Sequence, residues 1–205
     1  TLQNIAERLS EKGVPVLMMD VKGDLSGLSQ ASEGHPKIDE RHQMIGSPWE
    51  GKAYPVKLLS ISEQDGTRMR ATISEFGPVL LSKILELNAV QSGIVSIIFK
   101  YCDDKKLPLL DIKDFRKVLQ YISGDGKKEI EEHYVRVSPS SVGAIMRALI
   151  TIEEQGADLF FGETSFDVDD LLHVDDRGMG YINILRLDDI QSKPKLFTTF
   201  MLSLL

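Results

Sequence analysis

The chain has 205 residues, 42% of them hydrophobic and 27% charged, with a formal net charge of −7. That is ordinary globular composition, and the acidic balance argues against a broad basic face that grips nucleic acid unaided. The lone Cys102 excludes an internal disulfide, the four histidines are too scattered to suggest a metal site, and neither a membrane-length apolar span nor a signal peptide is visible, so a soluble, cytoplasmic protein is expected.

Leu2, Ile5, Ala6 and Leu9 recur at helical spacing and Gly13 stops the pattern, so residues 1–12 read as a helix. In the next stretch, VPVLMMDVKGDLSGL (14–28), Val16, Leu17, Met18 and Met19 run straight into Asp20, Lys22, Gly23 and Asp24. A run so apolar reads as a strand (14–20) buried on both faces, with its polar end at the rim of a sheet. Residues 29–53 read as irregular, and YPVKLLSIS (54–62) as a second strand followed by a turn at 64–66. Helix, buried strand, strand is the rhythm of an open α/β sheet.

From about residue 71 the rhythm is helical. Pro78 opens a helix over 78–87, and Asn88 with Gln91 forms a capping box for AVQSGIVSIIFKYC, whose Ile94, Ile97, Ile98 and Tyr101 share a face. Asp111 caps a helix over 111–122 that Gly124 ends, while the charged run GDGKKEIEEH reads as a solvated loop. Ser138, Pro139 and Gly156 bound a helix striped by Ile145, Leu149 and Ile152. Residues 166–172 make a short helix at most, GYINILRL (180–187) a strand and 194–205 a helix. The expected organisation is an α/β core in two parts, 1–70 and 158–205, interrupted by a helical insertion over 71–157.

Two stretches could touch phosphate. GSPWEGKA (46–53) fits G-x-x-x-x-G-K, but Ala53 stands where magnesium binding wants a hydroxyl. Pro48 lacks an N–H, Trp49 is bulky and Pro55 follows where a helix should begin, so the match is a decoy. Residues 20–24 are better placed, because ligands of open parallel sheets bind past the carboxyl ends of strands. Asp20 and Asp24 could hold a magnesium-bound water or orient an attacking one, Gly23 allows a sharp turn, and Lys22 offsets phosphate charge. The alternative is that Asp20 caps a turn and Asp24 caps a short helix over LSGL. Arg68, Arg70, Arg136, Arg147, Arg177 and Arg186 are candidates for phosphate or subunit contacts, and spacing selects none of them. Cys102, beside Ile98, reads as a core residue, and Phe160-Phe161 as packing.

TLQNIAERLSEKGVPVLMMDVKGDLSGL resembles the HerA-like bacterial P-loop ATPases of the HerA/FtsK division, and among them the YjgR-like group. The likeness continues through RATISEFGPVLLSKILELNAVQSG, SPSSVGAIMRALITIEEQGADLFFGE and GYINILRLDDIQSKPKLFTTFMLSLL, and is thinnest over 29–53. The resemblance implies a RecA-like P-loop NTPase sheet, present in part, with 71–157 as the family's helical insertion. It also implies a phosphate-binding loop before Thr1 and a magnesium-handling Asp-Glu strand after Leu205, so that this fragment lacks both and is inactive alone. The intact protein would be an ATP-dependent motor using ATP and Mg, a DNA helicase or translocase assembled as a homo-oligomeric ring, a hexamer being one form. Asp20, Lys22, Gly23 and Asp24 match the family's acidic motif after the second strand. That match gives Asp20 and Asp24 the catalytic role, Asp20 the metal, and Lys22 and Gly23 the nucleotide. The alternative function is a non-catalytic interaction module, in which the helical block recruits a protein partner and the α/β part supports it.

Overall fold

A computed structural model describes residues 2–164, 167–190 and 193–203. The fold is α/β. Strands β1 (Val16–Asp20), β2 (Val56–Ser60), β3 (Thr67–Arg68) and β4 (Ile182–Arg186) form one sheet in the order β1-β4-β2-β3. β4 pairs in parallel with β1 on one side and β2 on the other, so Val16, Ile182 and Val56 share a rung, as do Asp20, Arg186 and Ser60. The strand latest in the chain is therefore central.

α1 (Leu2–Glu11) lies on one face of this sheet. The two-residue period puts Val16, Met18, Ile182, Ile184, Val56 and Leu58 on that face, where they pack with Ala6, Leu25, Leu28 and Tyr54. Ser10 Oγ donates to the Gly180 carbonyl at 2.6 Å and the Gly180 N–H donates to the Ser10 carbonyl at 2.8 Å, fastening the end of α1 to the foot of β4. A Cβ at residue 180 would collide with the backbone of Val14 and Pro15, so this approach needs glycine.

β1 departs from the expectation of burial on both faces. It ends the sheet order, and Leu17 and Met19 are 37% and 38% exposed. A continuous apolar run marks a strand without saying how many of its faces are covered. The stretch expected to be irregular, 29–53, also contains a helix, α2 (Pro36–Ile45). It has no buried residue, so no apolar stripe announced it.

The chain divides into two compact units: residues 1–60, 65–67 and 167–188, and residues 61–64, 68–166 and 189–205. The second unit is helical and reaches beyond the expected 71–157. α3 (Ile73–Ile84) begins before Pro78, at a capping box between Thr72 and Glu75; Gly77, at φ 74°, breaks it, and Pro78 opens the second half. Asn88 and Gln91 exchange backbone bonds of 3.0 and 3.1 Å ahead of α4 (Ala89–Lys105), and Asp111 caps α5 (Ile112–Ser123). The run expected to be a loop holds α6 (Lys127–His133), anchored by Ile130, which is 1% exposed. One buried residue in a charged run is too weak a period to read from sequence.

α7 (Pro139–Glu154) buries Ile145, Leu149 and Ile152 as expected. α8 (Ala157–Phe160) ends at a buried aromatic pair: Phe160 and Phe161 meet Phe76 edge to face at 6.4 and 5.4 Å. α9 (Pro194–Ser203) packs against α3 and α8. The short helix expected over 166–172 is a 3-10 turn, Val168–Leu171; Phe166, Leu204 and Leu205 lie outside the described residues. Cys102 is buried, and burial pushes its thiol up to about 11. Among the described residues no helix is long and apolar enough to cross a membrane.

Candidate functional site

At the carboxyl end of β1 the chain turns sharply around one buried carboxylate. Asp20 is 2% exposed. Its Oδ1 accepts the N–H groups of Lys22 at 3.2 Å and Gly23 at 2.7 Å, and its Oδ2 accepts the N–H of Leu25 at 3.1 Å. Bonds from N–H groups to an ionised acceptor are the strong kind, so this side chain fixes the loop. Gly23 sits at φ +80°, a conformation an L side chain rarely adopts. The result is a rigid turn that leaves Lys22, Gly23 and Asp24 exposed at the rim of the sheet.

Asp24 occupies the capping position of a 3-10 turn, Leu25–Ser29, but its side chain makes no cap bond. Asp20 supplies that cap instead, through Leu25. The two aspartates therefore separate: one is buried and bound to backbone, the other is exposed. Sequence reasoning passed over a third carboxylate, Asp188, just beyond β4. Its Oδ2 lies 3.6 Å from where a Cβ on residue 23 would be, and its Oδ1 is buried with no partner. The signal was present, because NILRLDD is an apolar strand running into acid just as VLMMD is.

Of the six candidate arginines, Arg186 reaches the same rim. It stands opposite Asp20 in the register, and its Nη1 donates to the Asp65 carbonyl at 3.4 Å. Arg177 pairs with Asp175 at 2.7 Å, below β4 in the sequence. Arg68, Arg70, Arg136 and Arg147 belong to the helical unit. There Arg70 Nε donates to the Leu159 carbonyl, and Arg136 pairs with Glu131 at 3.7 Å. α1 leads to the rim as well: its last turn is tied to the foot of β4, and Ala6 packs on Ile182 and Ile184. Ten residues of helix rise about 15 Å, close to the length of a five-residue strand, so the first turn of α1 lies toward the carboxyl edge.

The G-x-x-x-x-G-K match behaves as a decoy. Gly46 closes α2 at φ 62°, and no helix follows Lys52, which bonds Glu11 Oε1 at 3.2 Å. That bond holds the Glu11 carboxyl below its ordinary value, and burial pushes Tyr54, bonded to the same oxygen, up to about 12. The charges serve to pin α1 to the approach of β2.

Within residues 20–25 much of the backbone's polar capacity is turned inward. The N–H groups of Lys22, Gly23 and Leu25, which a phosphate would need, already point to Asp20. Among the described residues no group of three or more His, Cys, Asp or Glu side chains could hold a metal ion. What the rim offers is an ammonium at Lys22 and a carboxylate at Asp24, on a backbone that Asp20 keeps still.

No curated protein matches the chain. The helicase HerA-like C-terminal family matches residues 1–205, the whole of it. A parallel sheet with an acidic turn at its carboxyl rim is in keeping with that match, and the chain belongs to the helicase HerA-like C-terminal family.

Proposed function

We propose that the intact gene product is an ATP-driven motor of the HerA/FtsK type, a DNA helicase or translocase that hydrolyses ATP with magnesium and works as a ring of identical subunits. The observation that carries this reading is the family match over the full chain. The rim geometry supports it, since ligands of open parallel sheets settle past the carboxyl ends of the strands. Asp20 acts as a positioning residue that shapes the turn, rather than as a metal ligand. Lys22 and Asp24 are the side chains the turn presents to nucleotide, and Gly23 permits its sharp bend.

The test is Mg-dependent ATP hydrolysis by the intact gene product, with and without duplex DNA. Hydrolysis stimulated by DNA is the expected result, and Asp20→Asn lowers the rate by loosening the turn. Absence of both nucleotide binding and hydrolysis in the intact gene product would refute the motor and leave the interaction module, with the helical unit as the recruiting surface.

A further inference from the structure

α2 is a helix without a core. None of its residues is buried, Ile38 and His42 alone are half-covered, and Met44 and Ile45 are 80% and 59% exposed. Its ends are nonetheless well specified. His35 Nδ1 accepts the Lys37 N–H at 3.2 Å, Pro36 fills the first turn, and Gly46 closes it in the left-handed conformation. Isolated helices shorter than about 12–15 residues are marginal in water, and most helical stability comes from packing an apolar face. A ten-residue helix so specified and so bare calls for a cover.

Helical spacing gathers Lys37, Arg41, Met44 and Ile45 along one side, two cations leading into two apolar groups. Neither Lys37 nor Arg41 joins an ion pair among the described residues. The same compact unit carries a ridge of the opposite charge. Over residues 168–176, Val168, Leu172 and Val174 are 63%, 62% and 51% exposed, interleaved with the exposed carboxylates of Asp169 and Asp176. The ridge is held firmly: Tyr181 N–H donates to the His173 carbonyl at 3.0 Å, and Asn183 Nδ2 donates to the Leu171 carbonyl at 3.0 Å. Both surfaces are bare in one copy, so neither covers the other within the chain.

We propose that α2 of one copy docks on the 168–176 ridge of a second copy, with Met44 and Ile45 against Leu172 and Val174, and Lys37 and Arg41 facing Asp169 and Asp176. Because the two surfaces differ, the contact is head to tail, the kind that closes into a ring or extends as a filament. It rests on the proposed assembly of identical subunits and names the surfaces that make the contact, while needing no ATPase activity.

Cys102 is buried, which keeps engineered cross-linking clean. In the intact gene product, a Met44→Cys variant mixed with a Leu172→Cys variant forms a disulfide-linked dimer on oxidation. Neither variant does so with Val90→Cys, an exposed position in the helical unit. Lys37→Glu with Arg41→Glu weakens self-association, read by sedimentation, about tenfold or more, and Asp169→Lys with Asp176→Lys does the same. All four substitutions together restore it. A protein that stays monomeric would overturn the ring and this contact together; an oligomer indifferent to these reversals, or a fourfold variant that fails to reassociate, would overturn the contact alone.

Discussion

Asp20 shows how firmly one side chain can fix the turn that follows a strand. An aspartate at the end of an apolar strand invites a catalytic and a turn-capping reading, and the three N–H groups converging on it, at 2.7 to 3.2 Å, show the turn cap. Removing those acceptors strands buried donors, so Asp20→Ala lowers stability by about 2–4 kcal/mol, whereas Asp24→Ala changes it by less than about 0.5 kcal/mol; urea denaturation measures both. Cys102 gives a second check at this scale. Burial raises its thiol to about 11, so in the native protein at pH 8 it reacts with alkylating reagents far more slowly than after unfolding. Its core role was legible from its place beside Ile98 on a helix, whereas the partnerless oxygen of Asp188 was not, because that depends on a neighbour far away in the chain.

Elements were legible where local chemistry fixes them. The caps at Asn88, Asp111 and Ser138 act within four residues, and each was visible as a spacing. α2 and α6 were invisible because burial of a stripe makes the signal, and they bury no residue and one residue respectively. Ile130→Ala therefore costs about 2–5 kcal/mol in a thermal or urea melt despite lying in a charged run, since it leaves a cavity where a side chain was 1% exposed. At the start of α3, the Thr72 backbone N–H bonded to Glu75 holds that carboxyl below its ordinary 4.5. A depressed carboxylate stabilises the fold above its unfolded value and loses that contribution as pH falls through the folded one. The stability gap between the wild type and Glu75→Gln is thus present at pH 7 and closes as pH falls through the depressed folded value, below 4.5. Gly180→Ala is disruptive for a different reason, the collision with Val14 and Pro15, while Gly27→Ala meets nothing within 4 Å.

At the scale of the whole molecule, the α/β class followed from apolar runs separated by helical periods, but the sheet order did not. Local pattern could not say that β4, formed after the helical stretch, enters between β1 and β2, because pairing between distant strands leaves no local mark. It grouped the helix over 194–205 with the α/β core because it follows a strand of that core, whereas α9 falls in the helical unit. The proposed function rests on family and on rim geometry together, and the rim makes the sharper demand. Calorimetric titration of Mg-ATP into the intact gene product, compared with Lys22→Ala and Asp24→Ala, addresses it directly. Binding weakened about tenfold or more in both variants, with melting temperatures unchanged, is the predicted result; variants that bind Mg-ATP as tightly as the wild type would contradict it.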